Sequence, residues 1–300
     1  RPMVYFWSGS KNATGAALAT GYRNTNIVLG IIVIIIMAIC VFSIVEINPP
    51  TQSAGKSSLV KDISSLVKNK YYIMFLGEVF FLFLGCLSMY GAMQYYYTYI
   101  VGDVSGMSLA LTLLTLLAIP TMILAAYLNG KGIAKIKLIQ FGSIVDIIGY
   151  AILFFTSDGT IATAALGLIG LGFGFRSSMF FSMMPDIFDY TEWQVGRNLG
   201  GTQNAIQGFV NKVSSAAASA IVSALLVWGN YDASKLDKAI ADGVDIATKY
   251  PQTHTAINFA FGGLALVSTV MAVVVLLPYD LDKKYPQIRA DLDKRHKENA

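Results

Sequence analysis

The chain has 300 residues, of which 55% are hydrophobic and only 13% charged, and its mean hydropathy is +0.57. A soluble domain carries about 25% charged residues, so this composition excludes a water-exposed globule and makes lipid the solvent for much of the surface. The two cysteines, Cys40 and Cys86, sit in apolar runs as small hydrophobes, which excludes a disulfide framework, and the net charge of +4 is uninformative until mapped onto loops.

The opening residues, RPMVYFWSGSKNATG, lack the basic start, short apolar run and cleavage site of a signal peptide, and the chain is expected to be part of a longer one. A helix needs about 20 mostly apolar residues to cross about 30 Å of hydrocarbon. Such stretches occur at 26–45, 71–101, 107–128, 137–156, 161–184, 202–228 and 256–277. No strand alternation competes with them, and a backbone in lipid must form helices or closed barrels, so an all-α membrane protein is predicted. After the first span, Leu59, Val60, Ile63, Leu66 and Val67 recur at helical spacing with lysines between them. That pattern predicts an amphipathic helix, either lying on the membrane surface or packed on protein. After the sixth span, Leu236, Ile240 and Val244 at spacing four predict a short helix over the outer mouth.

The predicted organisation is residues 1–45 with one span, a central loop at 46–70, a six-helix bundle at 71–278 and a tail at 279–300. If the spans alternate, one side of the membrane receives Lys56, Lys61, Lys68, Lys70, Lys131, Lys135, Lys137, Arg197 and the basic tail. The positive-inside rule then makes the C-terminus cytoplasmic.

Four ionisable residues fall inside spans, where they are costly and mark function by default: Glu78, Asp146, Arg176 and Lys212. At 1.5 Å per residue each lies about 10–15 Å from the cytoplasmic end of its span. Their charges cancel as a set, and simple pairing between helices is the bland alternative, favoured for Asp146. Around Lys212, the residues Asn204, Gln207, Gly208, Asn211, Ser215 and Ser219 share one broad face, with Ile206, Phe209, Val210 and Val213 opposite. Such a stripe suits a water-filled cavity that binds a polyhydroxylated solute; a tight helix contact would explain the small residues but not the lysine.

In the fifth span Gly167, Gly170, Gly172 and Gly174 follow no strand, so they read as close helix packing or a hinge rather than a nucleotide loop. Pro120 is expected to kink the third span. Tyr95, Tyr96, Tyr97 and Tyr99 near the outer end of the second span suit an interfacial belt or stacking against a sugar ring. His254 and His296 have no ligand spacing around them, no phosphate-binding loop is present, and neither an enzyme nor a nucleic-acid or metal partner is indicated.

The most specific text is MPDIFDYTEWQVGRNLGGTQNAIQGFVNK. Its core of Asp186, Asp189, Tyr190, Glu192 and Trp193, followed by Asn211-Lys212-Val213-Ser214-Ser215-Ala216, resembles the glycoside–pentoside–hexuronide:cation symporters, melibiose-carrier-like members of the major facilitator superfamily. SLVKDISSLVKNK and YYYTYIVGD extend the resemblance across residues 26–300. The resemblance implies a partial major facilitator fold, with the seven spans as helices six to twelve of a twelve-helix carrier in a bacterial cytoplasmic membrane. It implies cation-coupled symport of a sugar or glycoside by alternating access. No cofactor is implied, and the coupling cation, sodium or proton, would bind mainly in the preceding N-terminal half. Lys212, with Gln207, Asn211, Asn204, Arg176, Glu78 and Tyr96, would belong to the substrate and coupling network. Asp186, Asp189, Tyr190, Glu192 and Arg197 would form a cytoplasmic gate, although the acidic residue that often follows the arginine in the family is absent here.

A rival reading takes seven spans with an outside N-terminus at face value, as in a receptor or retinal protein. A retinal Schiff base would need a lysine in the last span, and Lys212 is in the sixth.

Overall fold

The computed structural model describes residues 2–10, 14–43 and 59–298, and among these every regular element is helical. Among the described residues, seven helices are long and apolar enough to cross a membrane. The chain divides into two compact units, residues 1–52 and 53–300.

In the first unit α1 (Pro2–Ser8) folds back on α2 (Gly15–Ser43), and Val4 is buried against Gly21. The helix begins eleven residues before the predicted first span, whose last two positions lie outside the described residues.

The second unit begins with α3 (Leu59–Lys68), and α4 (Lys70–Tyr95) continues through a π-helical turn, Tyr96–Ile100. There follow α5 (Val104–Gly130), α6 (Lys135–Phe155), α7 (Gly159–Val195) and α8 (Gly200–Trp228). Short helices α9 (Ala233–Ala241) and α10 (Ile246–Lys249) lead to α11 (Pro251–Asn258). A second π turn, Phe259–Gly263, joins α11 to α12 (Leu264–Leu276), and α13 (Leu281–Glu298) closes the unit.

Local chemistry sets the boundaries. The Asn69 side chain caps α4 by accepting from the N–H groups of Tyr71 and Tyr72 at 3.0 and 3.2 Å. Asp158 caps α7 in the same way at 2.8 and 2.9 Å. Gly196, at φ 78°, ends α7 in the left-handed conformation that glycine adopts without a Cβ penalty.

Two expectations need correction. The fifth span does not stop at residue 184: α7 runs on through Pro185 for 37 residues, about 55 Å at 1.5 Å per residue. The acidic-aromatic motif is therefore helical. The tail is also a packed element, since Ile288 and Leu292 of α13 are buried against the end of α7. Pro120 lies within a continuous α5.

On α3, Asp62 and Leu66 face the protein, while Val60, Ile63 and Val67 form an exposed apolar stripe beside Lys61 and Lys68. The helix is thus packed on protein along one flank and carries an open apolar stripe along the other. The helix after α8 includes Leu236, which is buried, but ends before Val244.

α7 is the central stave, packed on α5 and α6, while α12 joins α6 to α4, and α8 packs on α4. The glycines of α7 make this possible. A Cβ at Gly170 would overlap the Leu114 backbone of α5, and a Cβ at Gly142 of α6 would stand 2.6 Å from the Gly172 carbonyl. These are backbone contacts between helices, so the close-packing reading of the glycine run holds.

Gly142→Ala should lower stability by about 1–3 kcal/mol through overpacking, despite alanine's better helix propensity. Gly30→Ala, where a Cβ meets nothing within 4 Å, should be neutral or mildly stabilising. Thermal unfolding in detergent would compare them, and equal melting temperatures would remove the close-packing account.

Candidate functional site

Three of the four mid-span charges meet. Arg176 Nε donates to Glu78 Oε1 at 2.9 Å, and Arg176 Nη1 stands 3.7 Å from Asp146 Oδ2. The three come from α7, α4 and α6, and each is at most 2% exposed. They sit between two apolar clusters, one built around Tyr96, Ile169 and Phe261, the other around Phe75, Phe180 and Ile187. Low dielectric strengthens such pairing and equally punishes any unpaired charge.

Lys212 does not join them. It is exposed on α8 and makes no ion pair or side-chain hydrogen bond among the described residues. The sequence reading combined all four into one neutral set; the structure leaves two carboxylates against one guanidinium, with Lys212 on another helix face.

The faces of α8 divide into three. Gln203, Ser214, Ala218 and Val222 are buried towards the bundle. Asn204, Gly208, Lys212 and Ser219 are exposed, with Gln207, Asn211 and Ser215 half-buried beside them. Phe209, Val213 and Val227 form a separate exposed apolar sector. The structure adds which way the faces turn: Phe209 and Val213 face outward, while the inward face is small and mixed. Asn204, Gln207 and Asn211, like Lys212, make no side-chain hydrogen bond among the described residues. An open apolar face suits lipid, and an open face with an ammonium and three amides suits water and polar solutes.

Tyr96, expected among the substrate contacts, is fully buried. Its ring stacks on Phe261 at 4.5 Å, joining the two π turns, and its hydroxyl donates to the Thr156 carbonyl at 3.1 Å. Glu78 and Arg176 are likewise enclosed by the bundle and do not share the open face of Lys212. Tyr95 and Tyr99 behave differently. With Gly91, Gln94, Thr98 and Tyr231 they line a cleft of about 310 Å³ at the end of α4, where Tyr231 donates to the Tyr99 hydroxyl at 3.1 Å. Residues 91, 94, 95 and 98 recur every three to four positions, a helical signal that was available in the sequence.

At the lysine-rich end the motif on α7 is fully engaged. Asp186 pairs with Lys135 at 2.6 Å. Asp189 accepts from Tyr285 at 2.7 Å and Arg289 at 3.1 Å, and Glu192 meets His296 at 2.7 Å. Trp193 Nε1 donates to Asp291 at 3.2 Å, and Tyr190 packs edge-on against Tyr71. Arg197 pairs with Asp62 of α3. The acid missing after Arg197 is therefore supplied from 135 residues earlier in the chain. Asp62 lies on the same side of α3 as Leu66, the signal that it faces protein.

Behind these pairs, Asn69 Nδ2 and Gln203 Nε2 both donate to Thr191 Oγ1, at 2.8 and 2.9 Å, and Tyr72 donates to the Gln203 carbonyl at 2.8 Å. They lock the starts of α4 and α8 to α7. Nearby, hydrogen bonds from Lys284 and Tyr71 hold Asp280 well below the usual carboxylate range. Sequence reasoning missed Asp62, Asn69, Thr191 and Gln203, because their partners are distant in the chain.

Comparison with known proteins bears on this arrangement. The profile described as MFS/sugar transport protein matches residues 1–283. The chain is 25% identical over 304 residues to the isoprimeverose transporter of Lactiplantibacillus pentosus, covering all of this chain and 60% of that protein. It is 27% identical over 272 residues to the inner membrane symporter YicJ of Escherichia coli (strain K12), covering 88% of this chain and 54% of that one. Against the glucuronide carrier protein homolog of the same organism it is 22% identical over 292 residues, covering 96% and 60%. The chain thus spans little more than half the length of these relatives. With a helical bundle of this kind and a match over most of its length, the chain belongs to the MFS/sugar transport protein family, of the glycoside–pentoside–hexuronide type.

Proposed function

We propose that this chain forms the C-terminal part of a secondary transporter that carries a sugar or glycoside across the cytoplasmic membrane in symport with a cation, sodium or proton. Its spans correspond to helices six to twelve of a twelve-helix carrier, and the C-terminus is cytoplasmic. The observation that carries the reading is the open polar face of α8. Among the four mid-span ionisable residues, Lys212 alone has no partner among the described residues, and its neighbours Asn204, Gln207 and Asn211 are amides free to meet hydroxyl groups. An ammonium left unpaired in a membrane span needs water, substrate or a counter-charge. A cavity between two halves of a carrier supplies all three in turn.

In this reading Lys212, Asn204, Gln207 and Asn211 face the central cavity. Alternating access exposes that cavity to one side and then the other, and joint binding of cation and sugar permits the switch. The cleft of Gln94, Tyr95, Thr98, Tyr99 and Tyr231 offers ring faces and hydroxyls at the outer end, a chemistry suited to a pyranose. Arg176 and Glu78 act as a buried brace rather than as sugar contacts. Asp186, Asp189, Tyr190, Glu192 and Arg197 fasten α3, α6 and α13 around the inner end of α7, so the gate works through elements that move together.

Uptake of labelled glycosides into proteoliposomes, driven by an imposed sodium or proton gradient, tests the reading on the complete protein. Lys212→Val should leave the protein folded and cut gradient-driven accumulation by about tenfold or more, as loss of a functional intramembrane charge would. Undiminished accumulation in that variant would remove Lys212 from the site. The gate pair has its own test. Asp62→Arg and Arg197→Asp should each slow uptake, and the double exchange should recover most of it, since the coupling energy belongs to the pair. A double variant no better than the singles would show that the pair does not act as a unit.

A further inference from the structure

The charge count inside the bundle does not close. Glu78, Asp146 and Arg176 are all buried to 98% or more, yet they comprise two carboxylates and one guanidinium. Three of their polar atoms have no hydrogen-bond partner among the described residues: Glu78 Oε2, Asp146 Oδ1 and Arg176 Nη2. An excess negative charge away from water is far more costly than an unpaired neutral group, and a buried carboxyl escapes that cost by taking up a proton.

We propose that the Glu78–Asp146–Arg176 cluster is a proton-binding site, holding one proton on Asp146 at neutral pH. Glu78 accepts from Arg176 Nε at 2.9 Å, a charge-assisted bond. Asp146 stands 3.7 Å from the nearest guanidinium nitrogen, beyond hydrogen-bond length. Its other oxygen lies against Gly172: a Cβ built there would overlap Asp146 Oδ1 and stand 2.5 Å from the Gly142 carbonyl. One proton neutralises the cluster and turns an orphan acceptor into a donor. A metal cation fits poorly, because the guanidinium between the two carboxyl groups repels it.

The other groups around Asp146 do not supply the missing charge. Cys86 on α4 and Tyr150 on its own helix interact with it. α12, packed against α6, carries no titratable residue. α5 and α11 offer only Tyr127 and His254, near opposite ends of the bundle. Lys212 is exposed on α8, with no ion pair to either acid. The inference concerns proton binding and stands whether or not the transported solute is a glycoside.

Infrared spectra of the complete protein in lipid, taken in light and heavy water at neutral pH, test this. A protonated-carboxyl stretch that shifts down in heavy water is expected, and Asp146→Asn should remove it without loss of thermal stability, since it leaves a neutral Arg176–Glu78 pair. Glu78→Gln should also remove it, because Asp146 would then ionise to face Arg176. Absence of any such band in the wild type would overturn the proposal, and that arm needs no variant to fold. A band that survives Asp146→Asn, or one displaced by added sodium at fixed pH, would overturn it too.

Discussion

A guanidinium can be held in the middle of a membrane bundle only if counter-charge is brought to it, and Arg176 meets that requirement with Glu78, while Asp146 stands 3.7 Å away as a second carboxyl. The pairing ties α7 to α4 and α6 at mid-depth, between the two apolar clusters. It also depends on backbone proximity: the Asp146 carboxyl lies against Gly172, and the Arg176 amide would stand 3.0 Å from a Cβ at Gly142. The glycines and the charges are thus one design, since larger residues would separate the helices that bring the charges together. Stranding one partner of such a pair costs about 3–5 kcal/mol, so the central stave is fixed electrostatically as well as sterically.

Around that stave the molecule differs from end to end and from side to side. At the lysine-rich end, ion pairs and a hydrogen-bond cluster on Thr191 bind α3, α4, α8 and α13 to α7. At the opposite end, stacking of Tyr96 on Phe261 and the buried tyrosines replace charge. α8 stands apart, packed on α4 but presenting both a polar and an apolar open face. An edge helix with two kinds of exposed surface is the circumstance the proposed transport reading requires.

Helix number and order were legible because lipid enforces a long apolar run for every span. The spans at 71–101, 107–128, 137–156, 202–228 and 256–277 fall within a few residues of the observed helices, apart from the earlier start of the last. The extension of α7 past Pro185 was not, because its acids look like a loop until their partners on α6 and α13 are known. Lys212 could be singled out from its own helix, since a stripe is a local pattern. Its separation from the other three charges could not, because depth along a span says nothing about which face of the bundle a side chain occupies. Tyr96 illustrates the same limit: its neighbours Tyr95 and Tyr99 line a cleft while its own ring turns inward against Phe261.

In the proposed carrier the two open faces of α8 meet different solvents. Single cysteines at Asn204, Gly208, Phe209 and Val213, in a background with Cys40 and Cys86 replaced by serine, can be challenged in intact membranes with a water-soluble maleimide. The account predicts labelling at Asn204 and Gly208, slowed by a bound glycoside, with little at Phe209 and Val213. Equal labelling of both faces, or labelling at Phe209 and Val213 alone, would contradict it.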